Sequence, residues 1–487
     1  MLNFLFFIND LLWGSVLIYL IAGVGIWFTW RTRYIQFRYI RKIKVCFMKT
    51  PQQYATGLTS FQALCIGLAA RIGSSNLSGT ALAIVTGGPG AVFWMWVSGL
   101  LGMGISFAEC SLAQLYKRRD DTGGFYGGPA WYIEHGLGMR WMGGLFAVLL
   151  IMGFGLFFNM LQADAITRAL NHSFKGELPV TAIAAALFIL TTLTIRRGVL
   201  GIARILQWLV PFMLLIWVIP GLGLLLWHVE SLPGIAALII RSAFGWHEVA
   251  AGVMGYTLSQ ALSGGFQHGL FSSEAGMGSA PNIAGAASSW PRHPAVQGIV
   301  QMFGIFIDII IVGSITAGVV LLTDNLDGFI TQTDGILVIQ TMIDSLVGGW
   351  GDRLITLLII LVAFTTIIAN AVYAENNLSY LMRPTPAHRL TLRLAILAMV
   401  VLGCFVHNPV LWQCANILMA LLAITNLTAI LLLSPVVKII AADYIRQCSL
   451  GIRPLFIPSR YPDMREQLEP GVWEKAPASR LSNNDSD

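Results

Sequence analysis

The sequence predicts an all-α polytopic membrane protein with about 11 transmembrane helices. One N-terminal helix precedes a ten-helix core built as an inverted five-plus-five repeat, whose first and sixth helices are discontinuous. Three observations predict this. The first is composition: 487 residues, 56% hydrophobic and 11% charged, with a mean hydropathy of +0.71. Soluble domains carry about 25% charged residues. The second is length, because apolar runs of the ~20 residues that cross a ~30 Å hydrocarbon core recur along the chain. The third is a pair of interruptions placed five spans apart. Ten-residue alternating strand patterns are absent, which argues against a barrel.

The N-terminal span covers residues 9–30. The core spans follow at 59–86, 90–116, 141–170, 179–195, 204–227, 249–287, 295–323, 352–382, 390–407 and 411–436. These give four divisions: 1–58 (N-terminal helix and basic loop), 59–227 (first repeat), 228–436 (second, inverted repeat) and 437–487 (tail). Segments 31–50, 117–140, 196–204, 288–294, 383–393 and 437–487 hold 25 of the 30 Lys and Arg residues. All fall on one face if the spans alternate, and the 324–351 loop opposite is acidic. By the positive-inside rule that face is cytoplasmic, so the N-terminus is periplasmic and the C-terminus cytoplasmic. The formal charge of +6 is therefore a topology signal, and no nucleic-acid partner is implied. The tail from about 452 is polar and Pro-containing, and reads as extended or disordered. No cleavable leader is evident in "MLNFLFFIND". The six scattered cysteines indicate neither a disulfide framework nor a metal site, and the histidines show no zinc spacing.

Gly73, Ser74, Ser75 and Asn76 sit at the middle of the first core span. Gly weakens a helix, and Ser and Asn compete for its backbone hydrogen bonds. Freed N–H and C=O groups are tolerated at membrane depth only in protein or against a wet cavity. The sixth core span is stranger: Gly264-Gly265, just before Phe266, reads as a second break, and Gly276, Gly278 and Pro281 as a third irregular stretch. Paired interruptions in two inverted halves point to a secondary transporter's binding site. Small residues spaced as at Ser75, Gly79 and Ala83 also serve close helix packing with no ligand at all.

Other polar residues at membrane depth extend the candidate list. The adjacent Thr365 and Thr366 hydroxyls, with the Val362 carbonyl one turn earlier, are hard oxygen ligands suited to Na⁺; helix Thr also bonds its own i−4 carbonyl. Of the acidic residues Glu109, Asp164, Glu274, Asp308 and Glu375, Glu274 stands out as a proton site or gate partner. Arg71, beside the first break, needs an acidic partner or carbonyls. "GGPGAVFWMW" (87–96) reads as a tight turn into an aromatic cluster, and 123–138 as a flexible loop with an amphipathic piece.

The strings "GSSNLSGTALAIVTGGPGAVFWMW", "GGPAWYIEHGLG" and "SEAGMGSAPN" resemble the alanine/glycine:cation symporter family, the sodium:alanine symporters, from the N-terminal helix to about residue 440. The resemblance implies the inverted five-plus-five amino acid transporter superfamily. It also implies Na⁺-coupled (in some members H⁺-coupled) uptake of alanine or glycine across a bacterial inner membrane. On that likeness the carbonyls of Ala69, Ile72 and Val362 and the hydroxyls of Thr365 and Thr366 bind Na⁺. The backbone of Gly73, Ser74 and Ser75 holds the substrate carboxylate, Asn76 seats ligand or a second cation, and Asn159 and Gln162 line the pocket. The family's Gly-x-Gly-Asn break is matched at Gly73 and Asn76 but carries Ser75 in place of the second Gly. Its Ser-Asn-Glu-Ala-Gly string reads Ser272-Ser273-Glu274-Ala275-Gly276. The expected partners are a small amino acid and Na⁺, with no further cofactor and no enzymatic activity. A proton-coupled symporter and, more distantly, an intramembrane enzyme are the alternatives.

Overall fold

The computed structural model describes residues 2–40, 43–48, 57–120, 123–245, 258–323 and 334–474, and their regular structure is helical apart from one short hairpin. In chain order, α1 is Phe4–Arg31, α2 Ser60–Arg71, α3 Ser74–Gly87 and α4 Ala91–Leu115. The hairpin pairs β1 (Arg118–Arg119) with β2 (Phe125–Tyr126) and leads into α5 (Pro129–Leu137). Then come α6 (Arg140–Ser173), α7 (Val180–Ile195), α8 (Gly198–Trp227) and α9 (Leu232–Ala243). The second half runs α10 (Leu258–Ser273), α11 (Ala280–Ala286), α12 (Ala295–Leu321), α13 (Gly335–Val347), α14 (Trp350–Leu381), α15 (Pro386–Phe405), α16 (Val410–Leu432) and α17 (Ser434–Ser449). Eight of these helices are long and apolar enough to cross a membrane. The α2–α3 and α10–α11 pairs supply interrupted crossings, and α7 is a shorter apolar helix.

Local chemistry sets the ends of the first interrupted pair. Thr59 caps α2 reciprocally with Gln62: the Gln62 N–H donates to the Thr59 hydroxyl, and the Thr59 N–H to the Gln62 side chain. At the other end Gly88, with φ 76°, turns the chain out of α3, and Pro89 prevents the helix from continuing. Helix α14 runs through the middle of the bundle and is buried almost continuously from Val362 to Asn377, while α8 turns Trp208, Phe212 and Trp227 outwards. α6 and α12 each contain a wide π-helical stretch, Ile151–Phe158 and Phe306–Gly313, and the second carries the buried Asp308.

Three sequence expectations change here. Gly264, Gly265 and Phe266 lie inside the uninterrupted α10, so no break falls there; a Cβ on Gly265 would stand 2.3 Å from the Ala91 carbonyl, and the glycine serves close packing on α4. The break occurs at 274–279, where Glu274 (φ 51°), Gly276 (φ 85°) and Gly278 (φ 76°) are left-handed. The first part of the expected sixth span, 249–257, lies outside the described residues. The loop between the seventh and eighth core spans contains helix α13. Finally, the tail is packed through residue 474, with Phe456, Met464, Leu468, Val472 and Trp473 buried.

Candidate functional site

The first break occupies two residues. Helix α2 ends at Arg71, Ile72 leaves helical geometry, and Gly73 is extended before α3 begins at Ser74. A side chain on Gly73 would meet the Thr366 hydroxyl at 3.2 Å and the Gln162 amide at 3.4 Å, so the position is wedged between α14 and α6. Gln162 takes up the groups that the break frees: its carbonyl oxygen accepts from the Ser74 N–H (3.3 Å) and the Ser74 hydroxyl (2.9 Å). Below the break, oxygens converge. The Thr366 hydroxyl donates to the Ala69 carbonyl (2.7 Å) and sits 2.9 Å from the Val362 carbonyl, and the Thr365 hydroxyl also donates to Val362 (2.9 Å). Two hydroxyls and two carbonyls thus share one buried spot beside the start of α3.

A second cluster lies on the other side of α3. The Asn76 amide donates to Ser272 (3.0 Å) and to Asp308, and the Ser272 hydroxyl donates to the other Asp308 oxygen (3.1 Å). All three are buried, and the Asn76 carbonyl oxygen has no partner among the described residues. In the sequence Asp308 is recognisable only as an intramembrane acid. Its meeting with Asn76, 232 positions away, has no local signature.

A cavity of about 800 Å³ reaches this region. Ser74, Ser75, Ser78 and Gly79 of α3, Met160, Asp164 and Arg168 of α6, and Gln267, His268 and Phe271 of α10 line it. Its outer wall comes from Asp334, His407 and, in the first turn of α16, Trp412, at the end away from the basic segments. There Arg168 bridges Asp164 (2.9 Å) and Asp334 (2.7 Å), and His407 pairs with Asp164. The opposite end is closed. Backbone meets backbone at Gly127 and Gly285, and the Asn282 carbonyl oxygen accepts from Asn376 and Asn377, both at 2.8 Å.

Other candidates are placed elsewhere. Asn159 lies in the α6–α14 seam, donating to the Gly155 carbonyl and accepting from Asn370 (both 2.9 Å). Gly264 and Phe266 face Gly87 and Trp94. Arg71 is 1% exposed and reaches the Gln301 carbonyl (3.0 Å) and the Ser106 hydroxyl (3.4 Å), with no carboxylate within 4 Å among the described residues. It ties α2 to α12 and α4. Glu274 accepts from Ser279 (2.6 Å) inside the second break, and Glu375 pairs with Arg393 (2.6 Å).

Comparison with known proteins agrees with this architecture. The family model of the sodium:alanine symporter family matches residues 1–457. An uncharacterized transporter of Escherichia coli is 53% identical over 97% of this chain and 98% of its own length. A probable sodium/glutamine symporter of Bacillus subtilis is 38% identical (92% of this chain, 91% of the relative), and a sodium/alanine symporter of Methanococcus maripaludis 34% (88% and 94%). Among solved structures, a manganese transporter of Eremococcus coleocola superposes with a TM-score of 0.50 at 14% identity, covering 81% of this chain and 82% of that one. That likeness concerns the fold.

Proposed function

The chain belongs to the sodium:alanine symporter family, and from that premise we propose that it imports a small neutral amino acid, alanine or glycine, with Na⁺ by alternating access. The observation that carries this reading is the convergence of the Ala69 and Val362 carbonyls with the Thr365 and Thr366 hydroxyls beside the N-terminus of α3. Hard oxygen donors of this kind suit Na⁺, which replaces the hydroxyl protons as partner of the two carbonyls; Ile72 adds a third carbonyl. The N–H groups of Ser74 and Ser75, at the positive end of the α3 dipole, receive the substrate carboxylate. Gln162 holds that place with its amide oxygen in the absence of substrate and yields it when the carboxylate arrives. Asn76, with its unpartnered oxygen, and Asp308 form a second cation-binding group next to the amino acid.

Cation binding favours the state whose cavity is open, substrate then joins, and the two together favour closure. In the bacterial inner membrane the basic end is cytoplasmic and the cavity opens to the periplasm. Residues 59–227 and 228–436 form the two inverted repeats. The test is uptake of labelled alanine into proteoliposomes under an imposed Na⁺ gradient or an imposed pH gradient. Uptake driven by Na⁺ alone supports the reading. Uptake that follows the pH gradient and ignores Na⁺ replaces it with proton coupling, for which Glu274 is the first candidate. Competition by glycine and glutamine in the same assay fixes the substrate, one relative being named for glutamine.

A further inference from the structure

Residues 454–474 cross the closed end of the molecule: Leu455 is anchored on α17, its N–H donating to Gln447 (2.8 Å) and its carbonyl accepting from the same side chain (3.0 Å), and the segment then bonds two walls. On the first wall stand the end of α4 and the hairpin. Tyr116 donates to Gln467 (2.9 Å), Arg118 pairs with Glu469, and Arg119 donates to the Gly471 carbonyl (2.8 Å). On the second wall, between α11 and α12, Arg292 donates to the carbonyls of Val472 (2.7 Å) and Glu474 (3.2 Å), and its own carbonyl accepts from the Phe456 N–H (2.9 Å). Between the walls Trp473, 4% exposed, donates to the Leu115 carbonyl (3.0 Å).

Beneath Trp473 lies Lys117. Its ammonium sits 4.8 Å from the Trp473 ring and 4.2 Å from the Phe125 ring, and donates to Gln114 (3.0 Å) and to the Ala287 carbonyl (3.3 Å). The Gln114 amide donates to the same Ala287 carbonyl (2.7 Å) and to that of Ala284. The open C-terminal end of α11 is therefore held by α4, a cation at a helix C-terminus being the favourable sign, and the tail lies over this fastening. The seam it covers is the one sealed by Gly127 against Gly285. The Ser288 N–H, just after α11, donates to the Leu58 carbonyl (2.8 Å), so the end of α11 that the tail covers is tied to the entry of α2.

We propose that residues 454–474 are an intramolecular latch that bridges the hairpin and the α11–α12 loop, holding the end opposite the cavity shut, and that it must release before cargo leaves there. The proposal does not depend on which amino acid or cation is carried. Substrate-free hydrogen exchange therefore tests it separately from the transport reading.

The measurement is amide exchange of the full chain in nanodiscs, read over 280–288 and 57–71. Trp473→Ala should speed exchange in both segments by about two to three and a half orders of magnitude, the range expected for deleting a buried aromatic ring. Glu469→Arg should speed it roughly fivefold, because it opposes two like charges at a partly exposed pair. Arg118→Glu combined with Glu469→Arg should restore protection. If Trp473→Ala does not fold, the charge reversal and its rescue decide alone, since that pair is partly exposed at 23% and 29%. Faster exchange confined to 454–474, with 280–288 and 57–71 still protected, overturns the latch and leaves the tail as a passive cover.

Discussion

The two interrupted crossings differ in where their freed backbone groups go. At the first, Gly73 and Ser74 lie against groups that can change partner: the Gln162 amide, the Thr366 hydroxyl and the cavity. At the second, the freed groups are consumed internally. The Gly276 carbonyl accepts from Asn426 (2.8 Å), and the carbonyls of Gly278 and Ser279 accept from Asn282 (2.8 and 3.0 Å). Both breaks obey the rule that buried backbone polar groups find partners. On the proposed reading, only the first does so with partners that a ligand displaces. A broken helix therefore marks a site only where its orphan groups are held loosely; the second break supports the half-helix α11 that the closed end rests on.

The largest expected effect tests the first half of that contrast. Replacing Thr365 and Thr366 by Ala removes two oxygens from the proposed cation group. At ~1.5–3 kcal/mol for each bond to a charged group, half-saturating Na⁺ for uptake should rise at least about a hundredfold, and the melting temperature should fall modestly because the Ala69 carbonyl loses its Thr366 donor. An unaltered Na⁺ dependence would move the site away from this break. Next in size, Gly278→Ala puts a Cβ 2.7 Å from Phe146 and Pro129 at φ 76°. Left-handed strain and overpacking together cost about 2–4 kcal/mol, so the purified protein should melt lower. A stable Gly278→Ala protein with altered Na⁺ affinity would invert the comparison.

A smaller effect comes from pH at the end of α11. Burial, with the nearby Arg292 charge, pushes the Lys117 ammonium down to about 7. In an opened end the same lysine returns towards its ordinary value of about 10.4. The closed state therefore binds fewer protons than the open one above pH 7, and closure strengthens as pH rises from 7 to 9, by up to about 1.4 kcal/mol per unit; below 7 the dependence flattens. Arg118, paired with Glu469, and Arg119 also face this region. Protection of 280–288, corrected for intrinsic exchange, should follow that course, and Lys117→Met should abolish it.

Sequence alone carried the bundle and the first break because both are written locally. Apolar length marks the helices, and Gly73-Ser74-Ser75-Asn76 is a run that no lipid-facing helix explains. The meeting of Asn76 with Asp308 and the reach of Gln162 to Ser74 depend on tertiary register and leave no trace in spacing. The packed tail was hidden for another reason: Met464, Leu468 and Val472 do recur every four residues, but Pro454, Pro458, Pro462 and Pro470 interrupt the segment and most of their neighbours are polar. Composition averaged over such a segment reads as disorder even when five side chains are buried.

Gly264 and Gly265 show the same ambiguity at one dipeptide, and the smallest predicted effect separates its two meanings. A pair of glycines in an apolar run is either a hinge or a pair of close approaches. In α10 the two positions are unequal. A Cβ on Gly264 meets only the Gly87 Cα, at 3.7 Å, whereas on Gly265 it meets the Ala91 carbonyl at 2.3 Å and the Trp94 Cβ at 2.7 Å. Gly264→Ala should therefore stabilise α10 by ~0.5–1 kcal/mol, the helix-interior difference between Ala and Gly, raising the melting temperature with uptake unchanged. Gly265→Ala should lower it, since backbone lies directly in the way. Were Gly264 a hinge used in transport, Gly264→Ala would slow uptake while stabilising the fold, and the second interruption would then extend into α10 rather than stop at Ser273.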